Sequence, residues 1–278
     1  MTSAAPTEPA RILVVGAGDV GLALAGRFVS LGAEVTTLNR SGRRIDGARS
    51  WRGDLADPAT LRGLPAADTV AFTTAPPGRD EAAYRLAYVD GPARILAALP
   101  SPPGRAVLTS TTGVYGIDDG SWIDEASPTA PTRATAAAVR EGETRLADAV
   151  PAVTVRAAGI YGPGRSRLPD RVRAGEEPVA ADGTPRWTNR IHRDDLVAAL
   201  LLAATHPTPP PVLIAVDDEP APRDEVIRNL VALLDAPSPP TIEVPAPTGK
   251  RCRNDALRSL GWAPRYPTHR EGYASLLG

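Results

Sequence analysis

Lysine and cysteine are nearly missing from this chain: Lys250 and Cys252 are the only copies among 278 residues. A single cysteine rules out a disulfide framework and suits a reducing cytoplasm, the expected location. Histidine occurs three times, at His192, His206 and His269, with no HxxxH or CxxC pairing, so no metal site is expected. No apolar run reaches the ~18 residues of a membrane span, and the N-terminus shows no signal-peptide h-region; no membrane partner is expected. An excess of positive charge is missing too. The 31 basic and 32 acidic residues give a formal net charge of -1, without the basic face a nucleic-acid binder would carry. A small-molecule substrate is the expected partner, and the oligomeric state is left open. What the chain has is a 42% hydrophobic content, enough for a sizeable core.

The apolar segments alternate between strand and helix spacing. Arg11–Val15 reads as a buried strand, and Asp19–Leu31 as a helix with Val20, Leu24 and Phe28 on one face and Gly32 as its stop. Glu34–Leu38, Thr69–Thr73, Arg105–Thr109, Val153–Arg156 and Val212–Val216 follow as strands. Glu81–Leu99, Thr132–Ala149, Asp194–Ala204 and Arg223–Leu234 follow as helices. Pro131 is tolerated near a first helical turn, and Thr132 is expected to cap the helix that starts there. This order predicts an α/β, doubly wound parallel Rossmann sheet with ligands at the carboxyl ends of its strands. Residues 1–9 read as a flexible tail, and 10–160, with 190–216 returning, as the dinucleotide-binding domain. Residues 161–189 and 217–278 fall outside the alternation and read as a small C-terminal substrate-binding cap.

Gly16-Ala-Gly18-Asp19-Val20-Gly21 lies between the first strand and the first helix. In that context the glycines permit a tight turn and close approach of a pyrophosphate, and the helix N-terminus supplies N–H donors. At the tip of the second strand stand Asn39 and Arg40, then Arg43 and Arg44, where a 2′-hydroxyl would be met by Asp or Glu. A 2′-phosphate calls for a cationic fork, so NADP(H) is favoured over NAD(H). The alternative for Arg43 and Arg44 is solvated loop charge. Asp54, followed by Leu55, is placed to accept from an adenine amino group. Thr74 and Ala75, after the fourth strand, are small enough to let a ribose lie close.

Three further stretches are Ser110-Thr111-Thr112-Gly113-Val114-Tyr115-Gly116, Arg156-Ala-Ala-Gly-Ile-Tyr161-Gly-Pro-Gly-Arg165 and Asn189-Arg-Ile-His192-Arg-Asp194-Asp195-Leu196. With the glycine fingerprint and the Leu260-Gly-Trp262 ending, the chain resembles the extended and atypical short-chain dehydrogenase/reductases, the NAD-dependent epimerase/dehydratase-like group, over roughly residues 11 to 275. The resemblance implies that Thr111 hydrogen-bonds a reacting carbonyl; the plainer reading is a hydroxyl capping a strand end. It also implies a Tyr-x-x-x-Lys pair on the next helix. Counting back from Glu143 puts Thr135 and Val139 in those slots, and a shift by two puts Arg133 and Ala137 there. With Lys250 as the sole lysine, no register supplies the pair.

Hydride transfer depends chiefly on geometry between cofactor and carbonyl, whereas base-driven epimerisation or dehydration begins by deprotonating a substrate hydroxyl. The expected activity is therefore an NAD(P)H-dependent oxidoreductase, a ketoreductase. The nearest analogy is to aromatic-polyketide antibiotic pathway enzymes of the simocyclinone 7-ketoreductase kind. The alternatives are a nucleotide-sugar epimerase/dehydratase-like enzyme and a non-catalytic NADP(H)-sensing protein. Tyr115 and Tyr161 are the candidate replacement acids. Trp122 and Trp187 are candidate walls for a flat ligand, and Arg165 a candidate substrate contact. His192 reads as a loop histidine fixed ahead of a helix cap.

Overall fold

The computed structural model describes residues 10–277; the expected tail at 1–9 lies outside them. Fifteen strand segments occur among these residues. Seven of them form one parallel sheet of the doubly wound α/β type. In chain order they are β1 (Arg11–Val15), β2 (Glu34–Asn39), β3 (Ala48–Arg52), β4 (Thr69–Phe72), β5 (Arg105–Thr111), β7 (Ala152–Ala157) and β12 (Val212–Ala215). The spatial order is β12-β7-β5-β4-β1-β2-β3. The order reverses direction on either side of β1, which places a topological switch point at its carboxyl end, where Gly16 begins. β1 and β4 are buried beyond their first residues, and β5 buries Ala106, Val107, Leu108 and Ser110, as expected for strands covered on both faces.

The helices are α1 (Asp19–Ser30), α2 (Glu81–Arg85), α3 (Gly91–Ala98), α4 (Ala134–Ala149), α5 (Arg167–Arg173), α6 (Arg193–Thr205), α7 (Arg223–Leu234), α8 (Asp255–Ser259) and α9 (His269–Leu277). The continuous helix expected over Glu81–Leu99 is instead α2 and α3 joined by a widened turn at Leu86–Asp90. Pro92 explains the difference. It has no N–H to give to the preceding turn, and Gly91 N–H reaches back to the Leu86 carbonyl. The Ala87 carbonyl then accepts from Thr74 Oγ1 at 3.4 Å. The Thr132 cap is also corrected. The helix starts two residues later, at Ala134, with Arg133 in the capping position and no side-chain cap.

The chain divides into two compact units, Met1–Ser110 with Arg133–Val155 and Leu200–Pro211, and Thr111–Thr132 with Arg156–Ala199 and Val212–Gly278. In the first, Leu13, Val15, Leu38, Phe72, Ile95 and Leu108 belong to a core cluster that β1, β2, β4, α3 and β5 all supply. The second is built on short strand pairs. β8 (Gly159–Tyr161) runs parallel to β11 (Arg190–His192), and β9 (Val179–Ala180) to β14 (Thr241–Ile242). β6 (Trp122–Ile123) runs parallel to β15 (Arg251–Cys252), while β10 (Trp187–Thr188) pairs antiparallel with β13 (Ala221–Pro222). Its core gathers Tyr161, Val172, Val226, Ile227, Leu230 and Tyr273. No helix among the described residues is long and apolar enough to cross a membrane.

Candidate active site

The glycine turn after β1 is locked from several directions. Gly16 has φ +93°, its N–H donates to the Leu38 carbonyl at 2.9 Å, and its own carbonyl accepts from Thr73 Oγ1 at 2.8 Å. A Cβ at Gly16 would lie 2.7 Å from Thr74 N and Cα. A Cβ at Gly21 would run into the Gly16 carbonyl and lie 2.5 Å from Thr73 Oγ1. Gly18 is different: a Cβ there would meet nothing within 4 Å. It occupies the N-cap of α1 with no side-chain cap, and the first turn of that helix begins directly after it. Closed turn, open Gly18 and uncapped helix end together fit a dinucleotide pyrophosphate.

Asn39, expected to touch the cofactor, is taken up by its own loop. Its Oδ1 accepts from Arg43 N at 2.7 Å and Ser41 Oγ at 3.1 Å, and its Nδ2 donates to the Arg43 carbonyl at 3.0 Å. Ser50 Oγ adds a second bond to that carbonyl at 3.1 Å. The loop is therefore shaped, and the Arg40, Arg43 and Arg44 side chains are exposed on it without an ion pair among the described residues. Asp54 Oδ1 accepts from Ala56 N at 2.9 Å, which leaves its other oxygen available. Leu55 packs close to Gly91, and its carbonyl accepts from Arg94 at 2.6 Å. Ala75 is exposed and Thr74 half-buried beside the glycine turn.

On α4, the buried positions are Ala138, Val139, Gly142, Glu143 and Leu146. Glu143 is held by Ser110 Oγ at 2.5 Å and Arg140 at 3.5 Å. A Cβ on Gly142 would run into the Tyr88 carbonyl, so α4 lies hard against the widened turn. Thr135 is half-buried and Val139 fully buried. Neither side chain can transfer a proton near neutral pH.

In the second unit, Thr111 Oγ1 accepts from Gly113 N at 3.0 Å, capping the short turn Thr112–Val114. That bond fixes the oxygen, and no acceptor takes the hydroxyl hydrogen among the described residues. Tyr115 is buried against the Arg156 guanidinium, from which its hydroxyl accepts at 2.8 Å; burial pushes the phenol up to about 12. Tyr161 is buried against Gly272, His192 and Tyr273, with its hydroxyl 3.5 Å from the Thr268 carbonyl, and burial raises it further. Both phenols thus point into packing. His192 is buried, with Nδ1 accepting from Asp194 N at 3.2 Å, and burial lowers its pKa. Arg165 is exposed in the turn that its N–H closes onto the Gly162 carbonyl. Trp122 is exposed and Trp187 half-buried, and Arg251 lies over both rings at 5.0 and 4.7 Å.

Several functional-looking groups escape a sequence reading. Asn189 bonds Lys250 O and Cys252 N, both at 2.8 Å. Buried Asp195 accepts from Arg265 N and Tyr266 N at 2.7 and 3.1 Å. Asp217 and His269 are buried with side-chain polar atoms lacking hydrogen-bond partners. The partners of Asn189 and Asp195 lie dozens of residues away, and no local spacing announces them.

Comparison with known proteins agrees with this geometry. The model of the NAD dependent epimerase/dehydratase family matches residues 12–215. A Methylobacillus flagellatus protein described as an NAD-dependent epimerase/dehydratase shares 32% identity, covers 96% of this chain and 97% of its own, and superposes with a TM-score of 0.83. The Bordetella bronchiseptica enzyme WbmG, solved with NAD and UDP, has a TM-score of 0.81 at 20% identity over 98% and 94% of the two chains, a likeness of fold. A Streptomyces antibioticus protein named as a dTDP-4,6-dihydroxy-2-methyloxan-3-one 4-ketoreductase is 34% identical over 167 residues, 56% of this chain. The chain spans about half, 55%, of that relative's length.

Proposed function

We propose that this chain, which belongs to the NAD dependent epimerase/dehydratase family, is a nicotinamide-dependent ketoreductase. The observation that carries the reading is the contrast between an intact glycine cradle and an α4 that offers, at Thr135 and Val139, no side chain able to transfer a proton near neutral pH. Hydride chemistry needs the first and tolerates loss of the second. Positioning of reactants supplies ~7–11 kcal/mol of barrier lowering, against ~10²–10⁴-fold from a general acid. Epimerisation or dehydration, which starts by removing a hydroxyl proton, has no base at the Thr135 and Val139 positions of α4 to start it. The named activity of the Streptomyces relative points the same way.

In this reading the Gly16–Gly21 turn and the first turn of α1 hold the pyrophosphate. A nicotinamide dinucleotide held there would supply the hydride chemistry. Thr111 donates its uncommitted hydroxyl hydrogen to the carbonyl oxygen and stabilises the negative charge that develops there. The proton that completes the alcohol comes from water or a hydroxyl of the substrate, since Tyr115 and Tyr161 are buried with raised pKa values. The substrate is a ketone on a bulky ring-bearing molecule. An aromatic polyketide is one such class, supported by the Trp122 and Trp187 rings. A nucleotide-linked keto sugar is the second, supported by the Streptomyces relative.

Following nicotinamide absorbance with a panel of aromatic and sugar-nucleotide ketones tests this. Thr111→Val is expected to lower kcat/KM by about 10²-fold, the scale of one oxyanion donor. Tyr161→Phe is expected to turn over at the wild-type rate. A Tyr161→Phe variant that folds but is inactive overturns the proton route, and absence of turnover with any ketone overturns the reductase.

We assign NADP(H) as the preferred cofactor from the three unpaired arginines on the loop after β2. Replacing Arg43 and Arg44 together with glutamine is expected to raise KM for NADPH about tenfold or more while leaving that for NADH unchanged, because a charge-assisted bond to phosphate contributes ~1.5–3 kcal/mol. Equal effects on the two cofactors would refute the assignment.

A further inference from the structure

Three separated stretches, residues 117–123, 185–189 and 248–253, are tied into one rigid platform in the second unit. Gly120 N donates to Gly249 O at 2.8 Å, Trp187 N to Thr248 O at 2.8 Å, Arg251 N to Ser121 O at 2.9 Å and Arg253 N to Ile123 O at 3.0 Å. Asp118 takes the Gly249 N–H at 2.6 Å, and the sole lysine, Lys250, donates to Ile117 O at 3.3 Å. Gly120 and Gly249 sit at φ +83° and +81°. A Cβ on Gly120 would lie 3.0 Å from the Trp187 ring, and one on Gly249 would overlap the Trp187 carbonyl. The backbone is thus pressed around Trp187 in a way only glycine permits.

What this platform displays is a stack of two indoles and two guanidiniums. Arg251 lies over Trp187 and Trp122, its Nε held by Gly120 O at 2.7 Å, and Arg253 lies over Trp122 at 4.7 Å. No carboxylate pairs with Arg251 among the described residues, and Arg253 has only Asp255 at 3.9 Å, both exposed. Trp122 is 45% exposed. Exposed cation–π contacts stabilise by only ~0.5–1 kcal/mol, which is modest for fixing two arginines and leaving an indole in water. The same arrangement is well matched to a ligand, since an indole or guanidinium face stacks on a flat ring and guanidinium N–H groups donate to an anion.

We propose that Trp122, Arg251 and Arg253 form a subsite for a flat aromatic ring bearing negative charge. As a substrate subsite it rests on the ketoreductase reading; as a binding site it does not. The ring stacks on the platform and its charge meets Arg251 and Arg253. Two sources carry this chemistry, a phenolate of an aromatic ketone and the base and phosphates of a nucleotide carrier.

Titration of the full chain without cofactor separates them, with alizarin at pH 8 as one probe and thymidine diphosphate as the other, read by calorimetry and tryptophan quenching. Binding of either probe is expected, weakened about tenfold or more in both Trp122→Ala and Arg253→Ala, the scale of a lost stacking contact of ~1–3 kcal/mol. Sensitivity of alizarin assigns the phenolate source, and sensitivity of the nucleotide assigns the carrier. Both substitutions are at exposed positions, and unchanged melting temperatures confirm folding. No binding of either probe, or binding that both variants retain, overturns the subsite. Turnover assays on the wild-type chain judge the ketoreductase reading separately, so the two can fail independently.

Discussion

Gly18→Ala is expected to melt at or slightly above the wild-type temperature and to lose the stabilisation that NADPH gives, whereas Gly21→Ala is expected to be destabilised by about 3 kcal/mol. The two glycines belong to one six-residue turn and differ only in what lies beside them. Gly18 has an extended backbone at φ −83°, which alanine adopts readily, and open space at its Cβ position. Removing unfolded-state freedom there adds up to ~1 kcal/mol of stability. The open space is where a dinucleotide would approach α1, so the added methyl excludes the ligand without touching the fold. At Gly21 the methyl meets the Gly16 carbonyl and Thr73 Oγ1, the groups that lock the turn. Either α1 or the turn must move, and at ~2–4 °C per kcal/mol the melting temperature drops by roughly 10 °C. Thermal melts with and without NADPH read both effects. A Gly18→Ala variant that keeps the full NADPH-induced rise would show that the cofactor does not approach this turn.

The sequence carried what depends on neighbours a few residues apart. Strand β1, helix α1 and the glycine turn between them follow from apolar spacing and from Gly16, Gly18 and Gly21, and α7 was legible to its last residue. Long-range contacts set the rest. The interruption of the helix at Leu86–Asp90 combines a local cause, Pro92, with Gly142, fifty residues away, lying against the Tyr88 carbonyl. Asn39 reads as a cofactor contact by position but bonds to its own loop. Tyr115 and Tyr161 have the chemistry of acids in isolation. Their burial by Arg156, Tyr273 and Gly272 comes from residues that no spacing rule connects to them. Three of the five boundaries between the two units fall inside β5, β7 and α6, continuous elements, so patterning offered no mark of them. The platform under Trp122 joins three stretches up to 133 residues apart, mostly through backbone bonds to which side-chain identity gives no clue beyond its glycines.

Between pH 6.5 and 8 the protein is expected to lose about 2 kcal/mol of stability, while from roughly pH 4.5 to 6.5 it holds steady. Two buried groups in the second unit set this profile. Asp217 is 3% exposed, neither carboxylate oxygen has a hydrogen-bond partner, and burial pushes its pKa up to about 8 despite the nearby Arg190; Asp218 and Glu219 add to the rise. His269 is fully buried, both ring nitrogens lack partners, and burial brings its pKa down to about 4, with Arg190 acting in the same direction. The unfolded carboxyl titrates near ~3.9 and the unfolded imidazole near ~6.5. From pH 4 to 6.5 the folded chain holds a proton on Asp217 that the unfolded chain has released. Over the same range the unfolded chain holds one on His269's imidazole that the folded chain refuses. Proton uptake on unfolding is then close to zero and stability is flat. Above pH 6.5 the histidine difference disappears and only Asp217 remains. The folded state binds the extra proton, so stability falls by about 1.4 kcal/mol per pH unit until pH 8. Asp217→Asn keeps the shape of the protonated acid without its titration. Its melting temperature is expected to match wild type near pH 4 and to exceed it by a margin that grows through pH 6 to pH 8. Parallel profiles for Asp217→Asn and wild type above pH 6.5 would assign the slope to other groups and remove Asp217 as its cause.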